Sequence, residues 1–447
     1  MNNLAKTYCR ALHAGFFDRA EFHPDDIALD FGNRICKYGE LSMLSLRIAN
    51  TIETCRNGVG MSKWVGILAN KTIQGYASIL GILCSGKGYL PLSCDAPISQ
   101  LVDMIERSKT KLLLVDEDGV ELLSELLAQF DRPLTICLVA DSDSAHLEVR
   151  LLREKFKQHA FANVSSVAKD LASLNIMVQR ETPAYLLFTS GNTGRPKGVV
   201  VSHGNVRHFL DFVIVQFAFT SKDRFSQNFE FTFDLSVFDI FVSLEVGACI
   251  CPPSAGYKFF PNRYIKRSRL TVWFSLPSAV NSMLAAQQLS SDIFCGLRYS
   301  LFCGEPLAVK AARLWHNAAG NSELVNLYGS TEATICCTAY TWDPLENKYE
   351  DECIVPIGRP FWGSHVKVLD EKLLPVTDGQ IGELWVGGPQ VALGYLDDLS
   401  ETQLQFAYDE ELKSRFYRTG DKGFYDVNRD HLCFLGKVEH PVKIDAI

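Results

Sequence analysis

The stretch Tyr185-Leu-Leu-Phe-Thr-Ser-Gly-Asn-Thr-Gly-Arg-Pro-Lys-Gly-Val-Val-Val-Ser202 joins two apolar runs by a loop rich in glycine and hydroxyl residues. Tyr185 to Thr189 and Val199 to Val201 predict two β-strands, because aromatic and β-branched residues favour extended backbone. Between them, glycines let the backbone approach a phosphate, hydroxyl groups donate hydrogen bonds, and Lys197 supplies a positive charge. The stretch therefore predicts a phosphate-binding loop carried by a β-hairpin.

The order of residues in this loop differs from that of a Walker A loop. A Walker A loop has the pattern G-x-x-x-x-G-K-[ST] and leads into a helix. Here Gly191 is followed by Asn-Thr-Gly-Arg-Pro-Lys197, and the next element is a strand. An ordinary glycine-rich turn remains the other interpretation when the loop is considered alone.

Helical and extended patterns alternate on the amino-terminal side of the loop. Helical periodicity covers residues 41–53 and 73–84, and short apolar runs typical of strands lie at 64–68, 88–92 and 111–115. This alternation predicts an α/β fold with an open, largely parallel sheet that is covered on both faces.

From about Trp342 the pattern changes to short β-like runs separated by Gly, Asp, Asn and Pro. These runs lie at residues 366–369, 382–386 and 431–435. They predict a smaller β-rich lobe over residues 341–438, after two doubly wound α/β lobes over residues 1–340. Residues 439–447 are expected to form a hinge and the start of a further, mobile carboxy-terminal domain.

Composition excludes several classes of protein. The 447 residues have a formal net charge of −8, which disfavours binding to nucleic acid phosphates. The amino terminus lacks the basic and apolar regions of a secretory signal. Carboxylates interrupt the most apolar stretch, residues 229–252, so a membrane span is not expected. The 14 cysteines form no CxxC motif, which favours reduced thiols and a cytoplasmic location.

Several further segments, in a fixed order, resemble motifs of the adenylate-forming superfamily, which includes acyl-CoA synthetases, luciferases and the adenylation domains of nonribosomal peptide synthetases. Besides the loop, they are Cys84 to Leu92, Phe233 to Ser236, Asn326 to Glu332, Gly382 to Trp385 and Tyr417 to Asp421. The resemblance covers roughly residues 35 to 447. It implies the amino-terminal core of such an enzyme, with ATP and Mg²⁺ as cofactors.

The resemblance also assigns the nucleotide site residue by residue. Tyr328 offers a face to the purine, Thr331 donates to a phosphate oxygen, and Asp421 accepts from the ribose hydroxyls. Glu332 is the implied Mg²⁺ ligand, and Lys437 stands where the family has a ribose-binding arginine. The full set of implied ATP-binding residues is Thr189, Ser190, Gly191, Thr193, Gly194, Lys197, Asn326, Tyr328, Gly329, Ser330, Thr331, Asp421, Phe434 and Lys437.

Asp234 is the residue that bears on the substrate. It stands among aromatic residues, where an unpaired carboxylate would cost several kcal/mol to bury, so a cation should meet it. An internal Arg or Lys partner and a helix N-cap are the structural alternatives. The resemblance implies instead that Asp234 binds the α-ammonium of an amino acid.

The resemblance further implies an apolar side-chain pocket containing a single hydroxyl group, suited to a small or medium apolar amino acid. Its walls resemble those of prolyl-activating enzymes. The implied residues are Leu235, Phe238, Ser275, Leu301, Cys303, Gly304, Leu327, Ile335 and Cys336.

Together these features predict a stand-alone ligase that activates an amino acid, with L-proline as first choice, as aminoacyl-AMP. Transfer to the phosphopantetheine thiol of a carrier protein in secondary metabolite biosynthesis would follow. No catalytic side chain is assigned, because the family's lysine lies in the expected further domain. A D-alanine–carrier protein ligase and a binding core without turnover remain the alternatives.

Overall fold

The computed structural model describes residues 7–55, 62–189, 195–257, 260–344, 350–351 and 353–438. The strands, in chain order, are β1 (Tyr8–Arg10), β2 (Ile27–Asp30), β3 (Ile35–Lys37), β4 (Trp64–Leu68), β5 (Gly88–Leu92), β6 (Leu112–Val115), β7 (Thr135–Leu138), β8 (Ala160–Asn163), β9 (Met177–Gln179), β10 (Pro183–Thr189), β11 (Lys197–Ser202), β12 (Arg224–Ser226), β13 (Cys249–Cys251), β14 (Val272–Ser275), β15 (Tyr299–Phe302), β16 (Glu323–Tyr328), β17 (Thr338–Thr341), β18 (Arg359–Pro360), β19 (His365–Leu369), β20 (Gly382–Gly387), β21 (Gly394–Tyr395), β22 (Phe406–Asp409), β23 (Ser414–Asp426) and β24 (His431–Lys437).

The α-helices, in chain order, are α1 (Ala14–Phe22), α2 (Tyr38–Cys55), α3 (Ile73–Cys84), α4 (Ile98–Arg107), α5 (Glu117–Leu127), α6 (Asp143–Lys155), α7 (His203–Phe217), α8 (Leu235–Val246), α9 (Pro261–Arg267), α10 (Ser278–Ala285), α11 (Val309–Ala318) and α12 (Leu399–Gln405). Short 3-10 turns lie at Leu171–Ser173, Ala255–Tyr257 and Thr331–Ala333. Within the described ranges, no helix is both long enough and apolar enough to span a bilayer.

Two large sheets form the framework of the molecule. The first has the order β21-β11-β10-β5-β4-β6-β7-β8, in which only the two pairings of β11, with β10 and with β21, are antiparallel. The second has the order β18-β17-β16-β15-β14-β12-β13-β2-β3, with a parallel centre and antiparallel edges. Parallel centres built from crossover connections confirm the predicted α/β class.

The third sheet is small and antiparallel, with the order β19-β20-β23-β22, and β24 also pairs with β23. It corresponds to the predicted β-rich lobe. The last strand of the second sheet, β18, lies at Arg359–Pro360, beyond the expected boundary near residue 340. That boundary stays a prediction, and the expected hinge at 439–447 falls outside the described residues.

Packing of α8 fixes the position of Asp234. This helix is buried along almost its whole length, and the ring of Phe238 packs against Phe225 and Phe274 of the second sheet. Such aromatic contacts are direction-dependent, so they fix how the helix lies on the sheet. Asp234 occupies the N-cap position, which places its side chain at the amino-terminal end of the helix.

Candidate active site

Asp234 is 9% exposed, and its side chain makes no N-cap hydrogen bond, although the backbone N–H of Leu235, the first residue of α8, does act on it. Burial raises the pKa of its carboxyl to about 6, although the Thr331 hydroxyl and the backbone N–H groups of Leu235 and Ile335 oppose this rise. Among the residues that the structure describes, no arginine, lysine or histidine pairs with this carboxylate. Both structural alternatives, the internal cation and the capping bond, are therefore missing from the described part of the chain.

A cavity of about 410 Å³ opens beside Asp234. Its polar lining includes Ser93, Gln100, Thr189 and Thr331 together with the aspartate. Thr189 ends β10, so the start of the predicted phosphate loop and the buried carboxylate share one cavity. The loop residues Ser190, Gly191, Thr193 and Gly194 lie outside the described residues.

Eight of the nine expected side-chain pocket residues are buried, and most of these eight are apolar, whereas Gly304 is exposed. Gly304 has a φ of +88°, and a Cβ there would lie 2.9 Å from Leu276 Cδ2 and 3.5 Å from Leu235 Cδ1. Only glycine fits this left-handed conformation in such close quarters without strain. The set that the structure places in the core is Leu235, Phe238, Ser275, Leu301, Cys303, Leu327, Ile335 and Cys336.

The hydroxyl group of Ser275 is already engaged. Ser275 Oγ accepts a hydrogen bond from Trp273 Nε1 at 2.9 Å and donates one to the Leu276 carbonyl at 3.1 Å. A hydroxyl has a single proton, so Ser275 has no donor left for a ligand. The one hydroxyl that the sequence predicts for the side-chain pocket therefore offers no hydrogen-bond donor to a substrate.

A second cavity, of about 270 Å³, lies between the second sheet and the β-rich lobe. Its lining includes Gly304, Tyr328, Asp421, Phe434 and Lys437. The structure thus brings the expected purine and ribose residues together, with apolar faces from Tyr328 and Phe434 whose ring centroids are 6.1 Å apart. A planar heterocycle with a polar sugar suits such a lining.

Asp421 is the buried acid of this second cavity. Its Oδ2 accepts a hydrogen bond from the Tyr328 hydroxyl at 2.6 Å, and its Oδ1 lies 2.6 Å from Lys437 Nζ. Lys437 therefore acts on the carboxylate, and its own side chain is 62% exposed. A lysine lacks the planar fork of arginine, so this contact supplies charge without fixing direction.

Asn326 and Gly329 shape the strand end that carries Tyr328. The Asn326 side-chain amide donates to the carbonyls of Val355 and Pro356 at 3.1 and 2.9 Å, which connects β16 to the segment that precedes β18. At Gly329 a Cβ would lie 2.4 Å from the Cys336 Cα, so any side chain would force the backbone apart. These two residues hold the cavity wall in place.

Glu332 lies in the 3-10 turn after β16 and is buried. Its Oε1 accepts a hydrogen bond from the Tyr395 hydroxyl at 2.9 Å. Burial, followed by the Glu332 charge, raises the pKa of both Tyr395 and Tyr417, so both hydroxyls stay protonated beside the carboxylate. The neighbouring Ser330 Oγ is buried without a hydrogen-bond partner among the described residues.

The donors around Glu332 fit Mg²⁺ bound together with a nucleotide. Mg²⁺ is commonly held by one or two carboxylates plus substrate phosphates. The described residues contain no group of three or more His, Cys, Asp or Glu side chains that could hold a metal ion. A single buried carboxylate that directly follows Thr331, a residue of the first cavity, suits an ion that arrives with ATP.

Lys197 begins β11 and points to an acidic partner. Its Nζ lies 2.5 Å from Glu401 Oε1 on α12, with both side chains about one-fifth exposed. The same ammonium lies 5.2 Å from the centroid of the Tyr395 ring. Lys197 is thus held in a defined place over the Tyr395 ring, whose hydroxyl contacts Glu332, and a phosphate would compete with Glu401 for the charge of the lysine.

Three residues of this arrangement escaped the sequence prediction of site residues: Tyr395, Tyr417 and Glu401. Tyr417 begins the motif Tyr417 to Asp421, in which the resemblance assigns a role to Asp421 alone. The signal for Tyr395 was Gly394-Tyr395, which follows the apolar run at 382–386. Nothing local marks Glu401, because its partner is 204 positions away in the chain.

The chain is similar to a known family and to several known proteins. A model of the family described as AMP-binding enzyme matches residues 16–396. Zwittermicin A synthase ZmaJ of Bacillus cereus is 29% identical over 433 residues, which cover 95% of this chain and 76% of that protein. An L-proline–[L-prolyl-carrier protein] ligase of Pseudomonas fluorescens is 33% identical over 359 residues, covering 79% of this chain and 67% of that protein. Other relatives are much longer, and this chain spans 37% of one of them.

A solved structure is similar over almost the whole chain. It is the adenylation domain AlmE of Vibrio cholerae in complex with glycyl-adenosine-5'-phosphate. The TM-score is 0.86 with 29% sequence identity, and the match covers 97% of this chain and 80% of AlmE.

Proposed function

This chain belongs to the AMP-binding enzyme family, and from that premise we propose that it activates an amino acid with ATP as aminoacyl-AMP. The observation that carries the proposal is the buried carboxylate of Asp234, which pairs with no cation in the described part of the chain and lies in the same cavity as Thr189 and Thr331. An incoming α-ammonium would offset the cost of that burial and align the substrate beside the phosphate loop. AlmE, which holds a glycyl adenylate, has the same fold.

In the proposed reaction the nucleotide binds across both cavities. Its purine packs on Tyr328 and Phe434, and its ribose hydroxyls donate to Asp421. The phosphates meet Thr189 and Lys197, together with the loop residues that lie outside the described residues. Thr331 joins them when the substrate ammonium binds Asp234, which frees the single hydroxyl proton that Thr331 otherwise donates to that carboxylate. Asp234 holds the amino acid so that its carboxylate faces the α-phosphorus.

The chemical step then needs no protein nucleophile. A carboxylate oxygen of the amino acid forms a bond to the α-phosphorus, and the bond from that phosphorus to the bridging oxygen of the β-phosphate breaks. Pyrophosphate leaves with the electron pair, and aminoacyl-AMP remains. The side chains contribute alignment and charge neutralisation, which dominate phosphoryl-transfer catalysis. Mg²⁺ held at Glu332 would supply further neutralisation of phosphate charge.

We propose a small apolar amino acid as the substrate, with L-proline as the first choice. The apolar pocket, in which Ser275 has no spare donor, would reject side chains that need hydrogen bonds. The 33% identical relative that is an L-proline–[L-prolyl-carrier protein] ligase supports this choice. D-Alanine would also fit an apolar pocket. A phosphopantetheine thiol on a carrier protein is the proposed acceptor of the acyl group.

A thermal-shift screen of the proteinogenic amino acids and D-alanine, each with ATP and Mg²⁺, tests the proposal. A ligand at about 100 times its Kd stabilises the folded state by roughly 2.7 kcal/mol, so its binding raises the midpoint. We expect L-proline to raise the midpoint beyond the effect of ATP alone, and Asp234→Ala to abolish only that additional rise. If no amino acid adds to the ATP response of the wild-type chain, the proposal fails.

A further inference from the structure

We propose that Tyr395 is a positioning residue that holds the metal-binding carboxylate of Glu332 and the phosphate-binding ammonium of Lys197 at a fixed spacing. This inference rests on the proposed function. It assigns a role to a tyrosine that contacts two charged groups from distant segments of the chain. Both groups would act on the same triphosphate.

The contacts of Tyr395 are made by different parts of one side chain. Its hydroxyl donates to Glu332 Oε1 at 2.9 Å, and its ring centroid lies 5.2 Å from Lys197 Nζ. A phenol can donate only one proton, so the Tyr395 hydroxyl holds a single oxygen of Glu332. The Tyr417 hydroxyl also hydrogen-bonds this carboxylate. A cation at this distance from the ring is attracted by its π-electrons.

Backbone pairing fixes the position of the tyrosine. β21 is the edge strand of the first sheet, and Tyr395 pairs with Val199, two residues after Lys197. Residues two apart on a strand point to the same face, so the tyrosine ring and the lysine share that face. The backbone N–H of Ala392 donates to the Glu332 carbonyl at 2.8 Å, which ties the same segment to the acid.

A purely structural role predicts a different outcome from a positioning role. The Tyr395 ring packs edge-on against Phe406, with centroids 5.6 Å apart. Tyr395→Phe keeps that packing and the ring face under Lys197 but removes one of the two tyrosine hydroxyls that hydrogen-bond Glu332, and leaves that of Tyr417. A packing role would therefore leave Tyr395→Phe equivalent to the wild type, whereas a positioning role would weaken the metal site.

The test measures the thermal shift that saturating ATP produces as the Mg²⁺ concentration is varied. We expect Tyr395→Phe to need about tenfold more Mg²⁺ for half of the shift, since hydrogen bonds to charged groups contribute that order of free energy. The shift caused by AMP without metal should be unchanged. Tyr408→Phe, at a tyrosine that is 60% exposed, is the matched control and should behave like the wild type.

A second variant tests the lysine arm of the proposal. Tyr395→Leu removes both the hydroxyl and the ring face, so it should raise the Mg²⁺ requirement and also weaken the ATP response at saturating Mg²⁺. If the wild type responds to Mg²⁺ with ATP and Tyr395→Phe gives the same Mg²⁺ midpoint, the positioning role is wrong. If the wild type itself shows no Mg²⁺-dependent ATP response, the proposed function has failed instead.

Discussion

Replacing Asp234 by asparagine should stabilise the ligand-free protein while removing its response to amino acids. The carboxylate is buried without a cation among the described residues, so the empty site carries an electrostatic cost. Asparagine has nearly the same shape and no charge. Its amide oxygen can still accept the hydrogen bond from Thr331 that the carboxylate accepts.

The size of this effect follows from the pKa of Asp234, which burial raises from 3.8 to about 6. Each pKa unit corresponds to 1.36 kcal/mol, so a rise of about two units is worth roughly 3 kcal/mol. Because the folded state favours the protonated form, the wild type loses this stability as the pH rises from about 4 to about 6. Above pH 6 the variant should therefore be more stable by up to about 3 kcal/mol, and near pH 4 the difference should vanish.

Thermal midpoints of both proteins between pH 4 and pH 8, without ligands, give the comparison. Ser236→Ala is the matched control on α8, because it replaces a buried polar side chain without adding or removing a titratable group. That variant should therefore differ from the wild type by a pH-independent amount. A difference between Asp234→Asn and the wild type that does not change with pH would refute the reasoning.

Three further substitutions test other contacts. Glu401→Gln removes the carboxylate that would compete with phosphate for Lys197, so calorimetry should show roughly threefold tighter ATP binding. An unchanged affinity for ATP would contradict this competition. Ser275→Ala leaves the indole N–H of Trp273 without its acceptor, so chemical denaturation should show a free energy of unfolding lower by about 1–3 kcal/mol. The amino-acid preference should be unchanged, and an altered preference would mean that the hydroxyl reaches the substrate. Gly15→Ala would place a methyl group 2.1 Å from Glu245 Oε2, and we expect this substitution to lower the free energy of unfolding by about 1–3 kcal/mol. A variant as stable as the wild type would show that the Glu245 side chain can move aside.

The framework of the fold was predictable because its signals are local. The segments Trp64–Leu68, Ile73–Cys84 and Gly88–Leu92 have the bounds that their patterns predict. Each is an apolar run of a single period, ended by polar or glycine residues. The two-residue strands β18 and β21 have no such period, since hydrogen bonds to distant strands define them.

The candidate site was predictable where a motif states a residue's chemistry, and less so where a contact between distant residues decides it. Asp234 followed from the cost of burying a charge among aromatic residues. The engagement of the Ser275 hydroxyl depends on Trp273 two residues earlier, a pairing visible only once both lie on one strand. The ion pair of Lys197 with Glu401 needed the tertiary structure, because no local pattern links them.

A single strand, β23, touches both ends of the proposed nucleotide site. Tyr417 lies beside Glu332, and Asp421, four residues further on, contacts Tyr328. We therefore expect this one strand to set the distance between the part of the site that binds the ribose and the part that binds the triphosphate. Adenosine or pyrophosphate alone would reach only one of these two parts. The strand therefore favours the complete nucleotide over its fragments.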